Sequence, residues 1–241
     1  MHLSEHNLRQ LDEAYLDALA KEGKNRILPL SVSLKGRGLF TMSADHPDHT
    51  RLTARRQAGY ERKQARATDE KGLLIVYTGP GKGKTTAAFG MALRAIGHGL
   101  KVGIVQFIKG GQDSAERAVL SRFETVDFQT LGEGFTWQTQ DRERDIAAAE
   151  RGWAEAERMI GDPGYDLVIL DELNLVLKYG YLDLTQVLAT FSARRPELHI
   201  VVTGRNAPEA LMELADLVSE IRAIKHPYRE QGVKAQRGIE F

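Results

Sequence analysis

Lys84, Thr85 and Thr86 close a glycine-rich turn, Gly79-Pro80-Gly81-Lys82-Gly83, that interrupts the apolar run LLIVYT. Glycines at three of five positions let a backbone turn its N–H groups toward an anion, and a helix opening at Lys84 adds the positive end of its dipole. In that setting the Lys84 ammonium reaches terminal phosphates. The Thr85 hydroxyl becomes a ligand for Mg2+, whose other oxygens come from phosphate and a carboxylate. The spacing is irregular: the glycine expected five residues before Gly83 is Thr78, and Pro80 stands inside the turn. A glycine-rich turn with an incidental lysine is the plain alternative, and the strand before the turn together with Gly83-Lys84-Thr85 favours a nucleotide site.

A second cluster completes such a site. Asp166-Leu-Val-Ile-Leu-Asp171-Glu172 is an apolar strand sequence ending in two carboxylates, which delivers hard oxygen ligands to the edge where a phosphate loop opens. One acid can hold the metal while the other orients water or substrate, and spacing does not say which. Arg94, Arg205 and Lys109 are further cations suited to phosphate, or else ordinary surface residues. Phe135 and Trp137 lie in GEGFTWQTQ, residues 132–140, where they serve either to dock on a flat ligand or to anchor the loop in the core.

These residues need elements to hold them. Apolar periodicity places strands at 73–77, 101–107, 125–129, 166–171, 199–204 and 217–222, and helices at 84–98, 141–161, 181–193 and 207–215. Such alternation predicts an α/β fold from residue 72 onward, its mostly parallel sheet flanked by helices, with ligands at the carboxyl ends of strands. Residues 1–50 read as an N-terminal extension, with helical spacing from Leu8 to Leu19, a short strand at 27–34, a linker at 42–50, and Met42 as an alternative start. Residues 51–71 form a basic arm, either a solvated, partly helical segment or a cover for an anionic ligand or another subunit.

Composition narrows the classes. The 33 basic residues match the 33 acidic ones, so bulk charge gives no reason to expect nucleic acid or an acidic membrane. Cysteine is absent, which excludes disulfides and thiolate chemistry and suits a reducing compartment. The first thirty residues lack a secretory pattern, and no run of eighteen apolar residues occurs. The expectation is a cytoplasmic protein with no membrane or nucleic-acid partner.

Taken together, GPGKGKTTAAFG (79–90), RAIGHG (94–99), VQFIKG (105–110), GFTWQTQ (134–140), VILDELN (168–174), VVTGR (201–205) and KHPYREQGVKAQRGIEF (225–241) resemble the P-loop type of ATP:corrinoid adenosyltransferases. The short loop is that family's own form, and the resemblance implies a single P-loop NTPase (RecA-like) domain over residues 72–241. The resemblance implies transfer of the 5′-deoxyadenosyl group of ATP to cobalt(I) of a corrinoid, with release of triphosphate, in adenosylcobalamin biosynthesis or salvage. It also implies a triphosphate reversed in the loop relative to common P-loop enzymes. ATP contacts carried over are Gly79 to Thr86, Arg94 and Arg205. Metal ligands are Thr85 and Glu172, with Asp171 a weaker choice, for Mg2+ or alternatively Mn2+. Lys84, Thr85 and Glu172 become the catalytic set, and Phe135 and Trp137 meet the corrinoid's lower face, where they displace an axial ligand and ease reduction of cobalt(II). A flavin-dependent or flavodoxin-type electron donor and a homodimer follow from the same likeness. Pro80 departs from the family pattern by removing a donor. The alternatives are a P-loop ATPase or kinase on the same residues, and a nucleotide-gated corrinoid-binding protein; a nucleic-acid motor is a weak third.

Overall fold

The computed structural model describes residues 47–110, 114–132 and 141–239. The helix and strand expected at 8–19 and 27–34, and the aromatic loop with Phe135 and Trp137, lie outside them. The chain divides into two units, residues 1–67 and 68–241.

In the first unit, α1 spans Pro47–Gln64. Proline at the first helical position costs nothing there, because its missing N–H belongs to the unpaired first turn. Residues 47–50, expected as linker, are therefore helical. Four-residue spacing supports α1 through Gln57 to Glu61 at 3.1 Å and the Arg62 guanidinium to the Ala58 carbonyl at 3.1 Å.

The second unit carries the sheet. Its strands are β1 (Leu74–Thr78), β2 (Val102–Gly110), β3 (Val126–Gly132), β4 (Leu167–Asp171), β5 (His199–Thr203) and β6 (Leu217–Glu220). They form one wholly parallel sheet ordered β3-β2-β4-β5-β1-β6. Between them run α2 (Lys84–Gly97), α3 (Ala115–Leu120), α4 (Arg142–Gly161), α5 (Leu173–Lys178), α6 (Leu184–Ser192) and α7 (Glu209–Leu214), and α8 (Pro227–Gln231) follows β6.

Strand side chains alternate between two cores. Leu74, Val76, Val168, Leu170, Ile200 and Val202 pack with Trp153, Met159, Leu173, Phe191 and Leu211 from α4 to α7. Ile75, Leu167, Ile169 and Val201 turn the other way, onto Ala88, Phe89 and Ala92 of α2 and Leu120 of α3. Both faces are thus covered, which is why β1, β4 and β5 read as continuous apolar runs. Because all six strands are parallel, their carboxyl ends share one edge, and the glycine-rich loop, Asp171, Glu172 and Arg205 lie at or just after strand ends on it.

A hydrogen-bonded anchor closes the opposite edge. The Asp216 carboxylate accepts the Leu74 N–H at 2.8 Å and the Arg194 guanidinium at 3.2 Å, and it also pairs with Lys71. These contacts draw the Asp216 carboxyl below the ordinary aspartate range, the Lys71 bond contributing most.

Candidate nucleotide site

β1 ends at Thr78 and the chain turns into the loop. Gly83 precedes α2 with φ 111°, a left-handed conformation that costs a side-chain-bearing residue energy. Gly81 is required for a different reason: its N–H donates to the Ile221 carbonyl at 2.7 Å, and an added Cβ would stand 2.7 Å from that same oxygen. The loop is braced by the backbone that follows β6. Thr78, where a glycine was expected, donates no chain flexibility but accepts the Ala207 N–H on its hydroxyl at 3.1 Å.

Lys84 opens α2 and is buried, only 7 % exposed. Its ammonium donates to the carbonyls of Gly79 at 3.0 Å and Gly81 at 2.6 Å. Of its three protons, one remains for a further acceptor. Burial pulls its pKa below the ordinary lysine value; Arg205 pulls in the same direction, while Glu172 and Asp171 oppose them. The four charged groups expected from the sequence to meet, Lys84, Asp171, Glu172 and Arg205, therefore do share one neighbourhood. The first turn of α2 contains no acidic side chain that would cancel its positive end.

The two carboxylates differ in their surroundings. Asp171 is fully buried and accepts Gln106 Nε2 at 2.9 Å on one oxygen and Thr203 Oγ1 at 2.7 Å on the other. The Gln106 carbonyl in turn accepts the Thr130 hydroxyl at 3.4 Å. Sheet register makes this row: Gln106 lies opposite both Thr130 and Asp171. Glu172 is only half-buried and begins α5 with φ 66°, its N–H donated to the Thr203 hydroxyl at 3.0 Å. Asp171 thus has both oxygens engaged by the sheet, and the left-handed turn at Glu172 gives the second acid a different backbone course.

A cleft of about 640 Å³ opens beside the loop, lined in part by Gly79, Pro80, Arg205, Asn206, Met212 and Val218. Pro80 is exposed at its margin, as are Lys82 and Thr86 on the loop, while Thr85 is half-buried behind Lys84. Arg94 is not brought to this cluster. It occupies the last turn of α2, ten residues after Lys84, which at 1.5 Å per residue is about 15 Å along the helix. Its sequence proximity to the loop is undone by the helix between them.

Three residues join the site that sequence reasoning did not single out: Gln106, Thr203 and Asn174. Gln106 and Thr203 end or approach the ends of buried strands, where a polar residue follows an apolar run, and that was the available signal. Asn174 carried none beyond its place after the acids.

Hard oxygen donors are present for a cation. Among the described residues no group of three or more His, Cys, Asp or Glu side chains converges on one point. An ion here would take Thr85 and Glu172 and complete its shell with phosphate and water, the usual pattern for Mg2+.

Residues 70–241 match the family model described as ATP:corrinoid adenosyltransferase BtuR/CobO/CobP. The chain is 51% identical over 194 residues to a protein of Pseudomonas aeruginosa named corrinoid adenosyltransferase, covering 80% of this chain and 95% of that one. It is 50% identical over 177 residues to a protein of the same name from Escherichia coli strain K12, covering 73% and 89%. Among solved structures, the flagellar accessory protein FlaH from Methanocaldococcus jannaschii aligns over 63% of this chain and 71% of its own, with a TM-score of 0.42 and 12% identity.

Proposed function

Because the chain belongs to the ATP:corrinoid adenosyltransferase family, we propose that the glycine-rich loop around Lys84 holds the triphosphate of ATP while C5′ is transferred to the cobalt of a reduced corrinoid. The protein is an enzyme, a transferase that adenosylates corrinoids with ATP. The observation that carries the site assignment is the buried Lys84 ammonium, fastened to the Gly79 and Gly81 carbonyls, with Glu172 and Arg205 close enough to shift its proton affinity.

The reaction needs no general base. Cobalt(I) attacks C5′ with its own electron pair, the C5′–O bond breaks, and triphosphate departs with the bonding pair. The protein must place C5′ in line and stabilise charge on the leaving group. Lys84 supplies a cation that is already desolvated, so it needs little reorganisation as charge develops. The loop N–H groups of Gly79 to Thr86 and the N-terminus of α2 add their dipoles, and Arg205 contributes a planar donor from the β5 side. Mg2+ bound to Thr85 and Glu172 would neutralise part of the triphosphate charge, and Mn2+ has the same ligand preferences. Asp171, with both oxygens engaged by Gln106 and Thr203, holds the turn that presents Glu172.

Phe135 and Trp137 complete the proposal as the corrinoid's aromatic contact, which would favour a cobalt(II) centre without its lower ligand and so ease its reduction. A flavin-dependent or flavodoxin-type electron donor, a homodimeric state and a reducing, cytoplasmic setting fit a cysteine-free chain that acts on cobalt(I). No helix among the described residues is long and apolar enough to cross a membrane.

The test is incubation with ATP, Mg2+ and chemically reduced corrinoid, following Co–C absorbance and triphosphate together. Phosphate release with no change in the corrinoid spectrum would point instead to an ATPase or kinase on the same residues.

A further inference from the structure

Arg205 sits in a tight turn after β5. Gly204 before it has φ 131° and Asn206 after it has φ 56°, so two of three consecutive residues occupy the left-handed half of backbone space. Glycine takes such angles freely and asparagine more readily than most side-chain-bearing residues. The turn is pinned at both ends. At its far end the Ala207 N–H donates to the Thr78 hydroxyl at 3.1 Å. At its near end Asn174 Nδ2 donates to the Gly204 carbonyl at 3.0 Å. The approach at the near end is close: a Cβ on Gly204 would stand 2.8 Å from Asn174 Cβ and 3.3 Å from Glu172 Oε2.

Asn174 is an unexpected residue for that place. It is fully buried at the start of α5, among the apolar side chains Leu173, Val176 and Leu177. Its carboxamide spends one end on Gly204, and Oδ1 has no hydrogen-bond partner among the described residues. A position serving packing alone favours leucine, which carries no polar atom to desolvate. What asparagine adds is a link from the element that begins with Glu172 to the turn that presents Arg205.

We propose that Asn174 is a positioning residue for Arg205: its carboxamide holds the Gly204 carbonyl, so that the guanidinium on the next residue faces the phosphate loop. This rests on the reading of Arg205 as a triphosphate contact. Asn174 touches no substrate, and it acts through one backbone bond.

The test is a double-mutant cycle of Asn174→Leu and Arg205→Ala in the full chain, read both as ATP affinity by calorimetry without corrinoid and as KM for ATP in turnover. Asn174→Leu is expected to weaken ATP binding and raise KM for ATP about tenfold, while KM for the corrinoid stays unchanged. In the Arg205→Ala background the same substitution is expected to add less than about twofold, because the group it positions is gone. Full multiplication of the two defects, or unchanged ATP affinity in Asn174→Leu, would overturn the proposal. Asn174→Ala, judged by its thermal transition, covers the case in which leucine does not fit. Absence of corrinoid turnover by the unaltered protein would sink the functional reading alone, since the calorimetric cycle needs no acceptor. Unchanged ATP affinity in Arg205→Ala would remove the arginine contact and this proposal together.

Discussion

Thr203 donates its hydroxyl proton to Asp171 at 2.7 Å, joining the last residue of β5 to the last residue of β4. The same oxygen accepts the Glu172 N–H at 3.0 Å. One hydroxyl thus fastens a buried acid and fixes the backbone of the next, half-buried one. We expect Thr203→Val, which keeps the shape, to cost about 1–3 kcal/mol of stability through two broken buried bonds. Turnover should fall further than this, with a raised Mg2+ requirement because Glu172 loses its direction. Urea unfolding alongside a Mg2+ titration of activity checks both parts, and an unchanged Mg2+ requirement would contradict the second.

Asp171 and Glu172 should separate in their failures. Asp171→Asn puts an amide where Gln106 already presents one, so it is expected to lower stability by about 1–3 kcal/mol. Glu172→Gln leaves the framework intact and should instead shift the Mg2+ dependence of turnover by about tenfold or more. Melting temperatures and metal titrations on the two variants distinguish them; the reverse pattern would exchange their roles.

Lys84 yields a prediction with a sign. Its pKa lies below the ordinary 10.5, chiefly from burial, and the proposed triphosphate contact requires its protonated form. Binding ATP takes up that proton when Lys84 is neutral, so affinity should fall as pH rises through the lowered value, earlier than an ordinary lysine would allow. Lys84→Arg stays charged and should lose this alkaline limb even if its affinity is lower. Lys84→Ala is expected to reduce kcat by about 10² to 10³, since it removes a preorganised charge facing the leaving group. Calorimetry between neutral and alkaline pH provides the check on the first two statements, and steady-state kinetics on the third.

Asp216 predicts acid sensitivity of the fold. Its folded pKa is depressed, so its contribution is complete above the ordinary aspartate range and is lost as pH falls through the lower folded value. The stability difference between the unaltered protein and Asp216→Asn, about 1–2 kcal/mol near neutrality, should shrink below about pH 4. Denaturant unfolding across pH 3 to 7 measures it.

The proposed aromatic contact makes Trp137 a test of the reduction step. Trp137→Ala should impair turnover from cobalt(II) more than turnover from chemically supplied cobalt(I), because the contact is proposed to act before the alkyl transfer. Equal losses from both would count against that role.

Much of this was legible from residue order. β1, β4 and β5 announce themselves because both faces are buried, and Gly83-Lys84-Thr85 and Asp171-Glu172 fall at strand ends where the parallel sheet collects them. α3, α5 and α8 span five or six residues each, too short to display a helical period. Gln106, Thr203 and Asn174 were invisible for another reason: their partners lie 65, 32 and 30 residues away, joined only by register and strand order. Arg94 lies near the loop in sequence, and regular helix geometry sets it about 15 Å along the helix from Lys84.

The brace beneath the phosphate loop has a consequence for how the molecule is assembled. β1 is the first strand of its unit to be synthesised, yet its two sheet neighbours are β5 and β6, and the Leu74 anchor is 142 residues downstream. Gly81 waits in the same way for the Ile221 carbonyl. Closing such distant segments is slow, and it cannot begin on a ribosome until they have emerged. The earliest stretch of the domain to be made is therefore among the last to be finished, and a nascent chain acquires its capacity for ATP only near the end of folding.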